Sequence, residues 1–284
     1  MPALIQFFSL TYVISWGCWI AAAALRRSAI GSDLPALTAA LLYIGTFAPA
    51  LVALSMTALI DESGRVTALL NRMFEWRVGL RWYAFALSYM AAIKLIAALL
   101  YRVAVGAWPP FGNEPWYVIL AMIPVATPGQ AGEEIGWRGY ALPRLAAHLG
   151  FARASLILGL LVACWHLPLF FMPGVRNAGQ SFPLFAVYVV GLSVTVAWLY
   201  AKTDGSLLLA MLIHSAVNQT IGIVPTRLAV PGNPFALDTS LVTLLAGTLF
   251  VLSVAYFLVQ LRYVEPIRSD GQAGAYAAIK RRVS

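Results

Sequence analysis

Apolar residues occur along this chain in eight runs of about 20, separated by short polar or basic stretches. The runs fall at 3–25, 36–60, 82–106, 116–137, 154–172, 183–201, 206–224 and 240–261. A stretch of about 20 apolar residues is the length that crosses a bilayer as one helix. The pattern therefore predicts an all-α polytopic membrane protein with about eight transmembrane helices, the first of them a retained helix rather than a cleaved leader.

Composition supports lipid as the solvent of this chain. Hydrophobic residues make up 61% of the sequence, charged residues only 11%, and the mean hydropathy is +0.81. A soluble domain has about a quarter of its residues charged. We therefore expect a single membrane domain over 1–264, followed by a basic cytoplasmic tail over 265–284.

The net charge of +8 predicts orientation rather than nucleic-acid binding, because the basic residues are scattered among short segments between apolar runs. Lys and Arg accumulate in cytoplasmic loops. With a cytoplasmic N-terminus, 12 of the 19 lie inside, five lie outside, and Lys94 and Arg138 are intramembrane. We predict a multi-pass protein of the cell (inner) membrane, with both termini cytoplasmic and the bilayer as its acidic partner.

One predicted span carries three charged side chains. Glu133, Glu134 and Arg138 lie near the end of the 116–137 run, and ionisable groups at bilayer depth are costly unless they have a partner or a function. Glu134 and Arg138 are spaced for an i,i+4 ion pair. Glu133 points about 100° away, which leaves it able to activate water as a general base. The alternative is a structural ion-pair network.

Polar side chains also interrupt the fifth and seventh runs. His214 and Asn218 are four residues apart on one helical face, so both can donate to one developing oxyanion. His166 lies in the fifth run and could join the same cavity. The alternative is that these are packing residues satisfied by hydrogen bonds. Lys94, alone in the third run, is better explained as a snorkelling or internally paired lysine, and its role stays open.

These residues form three motifs that resemble those of the CPBP intramembrane proteases, the type II CAAX prenyl endopeptidase-like and Abi/bacteriocin-processing group. The stretch 132–145, GEEIGWRGYALPRL, matches EExxxR. The stretch 162–166, VACWH, matches an aromatic residue followed four positions later by His, with Val162 in the aromatic position. The stretch 214–218, HSAVN, matches HxxxN. The similarity spans roughly 120–222, and the predicted protease core is about 116–224.

The resemblance implies an eight-helix fold around a membrane-embedded catalytic cavity, and an endopeptidase that cleaves a membrane-associated peptide or protein substrate, prenylated in the CAAX type. It implies that Glu133 activates water with help from His166, that His214 and Asn218 stabilise the oxyanion, and that Glu134 and Arg138 support this geometry. No cofactor is favoured. Zinc held by Glu133, His166 and His214 is the alternative, since two His and one Glu form a known catalytic set.

Two other classes of protein stay open at this point. A non-catalytic immunity or scaffold protein could use the same fold to bind a peptide or a partner helix. A transporter would also place its site at mid-membrane on broken helices, although no repeat between the two halves is detectable. Neither the substrate nor the oligomeric state follows from the sequence.

Overall fold

The computed structural model is helical, as the apolar runs predict. It describes residues 1–27, 34–60, 64–172, 174–220, 222–226 and 233–264. The predicted tail at 265–284 lies outside the described residues. No β-strand is present in these ranges, and the long helices expose many large apolar side chains, as helices that face lipid do.

The α-helices in the described ranges share an apolar composition and differ mainly in length. They are α1 Pro2–Arg27, α2 Pro35–Ile60, α3 Arg65–Asn71, α4 Leu80–Val105, α5 Trp116–Ala126, α6 Ala131–Glu134, α7 Leu142–Trp165, α8 Phe182–Lys202, α9 Leu207–Thr220 and α10 Leu241–Leu261. Short 3₁₀ turns at Arg72–Phe74, Thr127–Gln130 and Leu167–Phe171 and a π-helical stretch at Ile135–Ala141 connect some of them.

Six stretches in the described ranges are long and apolar enough to cross a bilayer. One of them, Trp116–Phe171, contains 56 residues and would be roughly 84 Å long as a straight helix. That is more than twice the apolar thickness of a bilayer, about 30 Å. The stretch is broken instead, most clearly at Gly150, where φ is 73° and ψ is 158°. It therefore accommodates two of the eight predicted runs.

The run predicted at 206–224 is only partly helical. Its helix, α9, has 14 residues and ends at Thr220, so the prediction of a continuous helix to 224 is wrong. The other predicted runs coincide with helical structure. The chain is therefore an all-α, multi-pass integral membrane protein.

The core of the fold surrounds residues 131–141 and α9. Helix α2 packs against 131–141 from one side, and α9 is packed between α4, α5 and α8. Large aromatic side chains fill the space between α1, the 131–141 stretch and α7. They are Phe7, Trp19, Trp137, Tyr140 and Trp165, each at most 2% exposed. Helix α10 covers α4 and α8 from the lipid side.

Candidate active site

The predicted carboxylates lie in the most irregular part of the chain. Helix α5 contains Pro124 and is followed by a 3₁₀ turn with Pro128, then by the single turn α6. Proline lacks the N–H that continues a helix ladder, so these residues break the regular helix. Beyond Glu134 the backbone widens into π-helix, with the Leu142 N–H donating to the Trp137 carbonyl. Such widened turns occur frequently at functional sites.

Glycines bring this segment unusually close to α2. A Cβ atom at Gly136 would lie 2.6 Å from backbone atoms of Pro49, and one at Gly132 would lie 2.9 Å from the Phe47 ring. Real Cβ atoms do not approach this closely, so only glycine allows the observed packing. We call residues 131–141 the Glu-Glu segment. Its contact with α2 fixes the depth and rotation of both carboxylates.

Glu134 is the buried centre of the site. Its side chain is 0% exposed, and Oε1 accepts hydrogen bonds from Arg138 Nη1 at 2.9 Å and from His214 Nδ1 at 2.7 Å. The predicted ion pair with Arg138 is therefore present. A carboxylate removed from water needs such partners. Glu134 thus links the Glu-Glu segment to α9, a link that the sequence alone does not reveal.

The hydrogen bonds of His214 fix the direction in which its ring can act. The ionised carboxylate of Glu134 only accepts, so Nδ1 carries the proton and donates to it. Nε2, on the opposite side of the ring, forms no hydrogen bond with the part of the chain that the structure describes. It can accept a proton in the neutral ring or donate one from the imidazolium.

Asn218 lies one turn beyond His214 on α9, as the HxxxN spacing predicts. Its Nδ2 faces the Oε1 atom of Gln130 at 3.5 Å, a long hydrogen bond. Gln130 itself donates to the Ala126 carbonyl. Gln130 was not predicted as a site residue, although it is a polar amide within an apolar run. The two donors predicted for one oxyanion are thus held by different partners, His214 by Glu134 and Asn218 by Gln130.

His166 caps the C-terminal end of α7. Its Nδ1 donates to the Val162 carbonyl at 2.8 Å, because a carbonyl can only accept. Nε2 is then the unprotonated nitrogen of the neutral ring. The Trp165 and Phe185 rings hold the imidazole edge-on, with ring centroids 4.6 and 5.2 Å away.

Glu133 differs from its neighbour in every respect. It is only partly buried and forms no hydrogen bond or ion pair with the described residues. Its charge interacts electrostatically with the imidazoles of both His166 and His214. The structure therefore brings the first carboxylate and the two imidazoles into one neighbourhood, while the second carboxylate holds His214 through Oε1. The buried Oε2 of Glu134 has no hydrogen-bond partner among the described residues.

Metal binding receives no support from the arrangement of side chains. Within the described residues, no three His, Cys, Asp or Glu side chains are grouped as a metal site requires. The alternative zinc set of Glu133, His166 and His214 is thus not assembled as a group of ligands.

The resemblance implied a cavity around the catalytic side chains. A cavity of about 470 Å³ lies between α4, α8 and α10, and none of the six predicted site residues lines it. Phe185 contacts both places, because it lines this cavity and also packs against His166. Most of the lining is apolar, and the carboxylates and imidazoles of the candidate site lie outside it.

Comparison with known proteins agrees with the motifs. Residues 112–220 match the family described as type II CAAX prenyl endopeptidase Rce1-like. The chain is also 23% identical over 270 residues to CAAX prenyl protease 2 of Methanococcus maripaludis, a match that covers 90% of this chain and 96% of the relative. The matched family region contains all six predicted site residues. Over this stretch the chain is similar to proteases of the CPBP family.

Proposed function

We propose that this protein is a CAAX-type endopeptidase that hydrolyses a peptide bond of a membrane-associated, prenylated substrate with water activated by Glu133. The observation that carries the proposal is the contrast between the two adjacent carboxylates. Oε1 of Glu134 is bound by Arg138 and His214, whereas Glu133 has no such partner among the described residues and its charge acts on both imidazoles. A general base needs this kind of unoccupied carboxylate.

In this mechanism Glu133 removes a proton from water while Nε2 of His166 accepts the second hydrogen bond of that water. The resulting hydroxide attacks the carbonyl carbon of the scissile bond. The tetrahedral oxyanion receives hydrogen bonds from Nε2–H of the His214 imidazolium and from Nδ2–H of Asn218. Glu133 then returns its proton to the leaving amine as the C–N bond breaks, so that one water is consumed.

Glu134 and Arg138 act as supports. The Glu134 carboxylate orients His214 through Nδ1 and balances the imidazolium that donates to the oxyanion. This is the role that a carboxylate behind a catalytic histidine has in other hydrolases. Arg138 in turn neutralises the buried Glu134 charge. Preorganised donors that point at a developing oxyanion contribute strongly to the rate.

The direct test is cleavage of a quenched-fluorescent farnesyl-cysteine peptide by the purified protein in detergent. The wild type is compared with Glu133→Gln, each with and without a chelator. Glu114→Gln is the matched control, because Glu114 is an exposed glutamate outside the site. We expect cleavage in the wild type and the control, and none in Glu133→Gln.

The other outcomes have definite meanings. Loss of cleavage with a chelator and its return with zinc would establish the zinc alternative, with Glu133, His166 and His214 as the first ligands to test. A folded wild type that binds the farnesyl peptide without cutting it would favour the scaffold or immunity alternative. Full activity in Glu133→Gln would refute the assignment of the base.

We also propose that both termini lie in the cytoplasm. The proposal rests on the excess of basic residues in the loops on that side of the predicted topology, 12 against five. Single cysteines placed in the loop before α4 and in the loop before α5 would be labelled from opposite sides of sealed vesicles. Labelling of both from the same side would contradict this topology.

A further inference from the structure

Lys94 is an intramembrane charge that the proposed mechanism does not use. It lies inside α4 and is only 4% exposed. Its Nζ donates to the Val224 carbonyl at 3.0 Å and to the Thr226 hydroxyl. The side chain therefore does not snorkel to the surface. A lysine retained at this depth marks a structural or functional constraint.

The partners of Lys94 follow directly after the helix that carries His214 and Asn218. Helix α9 has 14 residues, which gives roughly 21 Å of length, less than the apolar thickness of a bilayer, about 30 Å. We therefore place residues 222–226, which follow α9 and are not helical, at membrane depth as well. Lipid offers no hydrogen bonds, so their backbone groups must find partners within the protein.

Residues 222–226, which we call the post-α9 segment, find these partners on three sides. The Gly112 N–H donates to the Ile223 carbonyl at 3.1 Å. The Thr243 hydroxyl donates to the Thr226 carbonyl, also at 3.1 Å. The remaining two hydrogen bonds come from Lys94 on α4, to the Val224 carbonyl and the Thr226 hydroxyl. Of these three donor residues, Lys94 is the charged one.

Close packing also holds the post-α9 segment. Val224 is fully buried and contacts Ala98 on α4 and Val242 on α10. A Cβ atom at Gly112 would lie only 1.9 Å from the Gly222 carbonyl oxygen, so the loop before α5 is in the closest possible contact. The segment is therefore fixed in place rather than merely covered.

We propose that Lys94 is a positioning residue for the reaction, which holds the post-α9 segment and thereby fixes Asn218 in the last turn of α9. This inference rests on the proposed function. The two partners of Lys94, Val224 and Thr226, lie four and six residues beyond the end of α9. His214 lies one turn earlier and is already held by Glu134. Lys94 should therefore act through Asn218 and not through His214.

The test is a double-mutant cycle in the farnesyl-peptide assay with Lys94→Met, Asn218→Ala and the double variant. We expect Lys94→Met to lower kcat by about tenfold with KM changed by less than about twofold, since an interaction made only in the transition state affects kcat. In the Asn218→Ala background the same change should lower kcat by less than about twofold, since coupled residues are not additive.

Two further variants separate positioning from general destabilisation. Thr226→Val removes one Lys94 partner with little change of shape and should give the same pattern at smaller size. Ser88→Ala changes a lipid-exposed hydroxyl of α4 that bonds within its own helix, and should leave kcat unchanged. Effects of Lys94→Met and Asn218→Ala that multiply, or wild-type kcat in folded Lys94→Met, would overturn the inference.

Hydrogen exchange gives a readout that does not depend on cleavage. In Lys94→Met, amides at 216–226 should exchange faster while those at 207–213 keep their wild-type protection. If the wild type cleaves no farnesyl peptide, the proposed function fails, but this measurement still tests whether Lys94 holds the post-α9 segment. Unchanged exchange at 216–226 would refute that role.

Discussion

The Glu-Glu segment and α10 both lie in apolar surroundings, but their own residues differ in burial and in charge. In the Glu-Glu segment, all residues except Glu133 are buried, two charged side chains lie within the protein, and glycines touch a neighbouring helix. Helix α10 is a regular helix of 21 residues without a charged side chain, and one face of it is open to lipid. Charged side chains occur where several helices surround them, and they are absent from the helix that faces lipid.

This contrast shows how the protein separates chemistry from anchoring. A buried charge needs a partner on another helix, so residues that carry chemistry also fix the packing around them. A lipid-facing helix needs only length and apolar composition. Mutations in the two regions should therefore differ in which property they change, and four experiments test that difference.

The largest effect is expected from the buried carboxylate. Glu134→Leu would leave Arg138 and His214 without their shared acceptor, and the loss of one member of a buried pair costs about 3–5 kcal/mol. We expect a clearly lower midpoint of thermal unfolding in detergent, together with loss of cleavage. Glu133→Gln, the matched neighbour, should lose cleavage while its unfolding midpoint stays near that of the wild type. Equal loss of stability in both would erase the distinction between them.

The next effect concerns two glycines of similar helical setting. Gly136→Ala should destabilise by about 1–3 kcal/mol, because overpacking at a close contact forces the backbone to move. Gly247→Ala on α10 should be neutral or stabilising by up to about 1 kcal/mol, because alanine has the higher helix propensity and its Cβ meets no atom within 4 Å. The midpoints of thermal unfolding of the two variants provide the comparison. A wild-type midpoint for Gly136→Ala would show that α2 can move away from the added methyl group.

A smaller effect on activity should come from Gln130. Gln130→Leu removes the acceptor that faces Asn218 and should lower kcat by about tenfold, less than the roughly hundredfold loss expected for removal of the oxyanion donor in Asn218→Ala. Steady-state kinetics on the farnesyl peptide would measure both. If Gln130→Leu has wild-type kcat, the long hydrogen bond does not orient the carboxamide.

The smallest effect tests the anchoring region. Ser253 on α10 lies 2.7 Å from the Tyr89 hydroxyl on α4, and loss of such a bond costs about 0.5–1.5 kcal/mol. Ser253→Ala should therefore lower stability slightly and leave kcat and KM unchanged. A fall in kcat at this distance from the site would mean that α10 does more than anchor the bundle.

Much of the fold was predictable because lipid imposes a simple rule. Helices must satisfy their own backbone and present apolar side chains, so the apolar runs predicted helices that the structure confirms. The Glu134–Arg138 pair was predictable as well, because the two residues are only four positions apart in the chain. The break at Gly150 and the early end of α9 were not, since a glycine or a short apolar run alone does not fix its backbone.

The sequence by itself determined the membrane-spanning character of this protein, its helical runs and the three motifs that resemble those of the CPBP proteases, because each depends on residues near one another in the chain. Only the tertiary structure decided which carboxylate is engaged, since the bond from Glu134 to His214 joins residues 80 apart. It also decided that Lys94 is paired inside the protein, with partners 130 and 132 residues away. Such contacts are set by how helices pack, and packing depends on the shapes of all their surfaces at once.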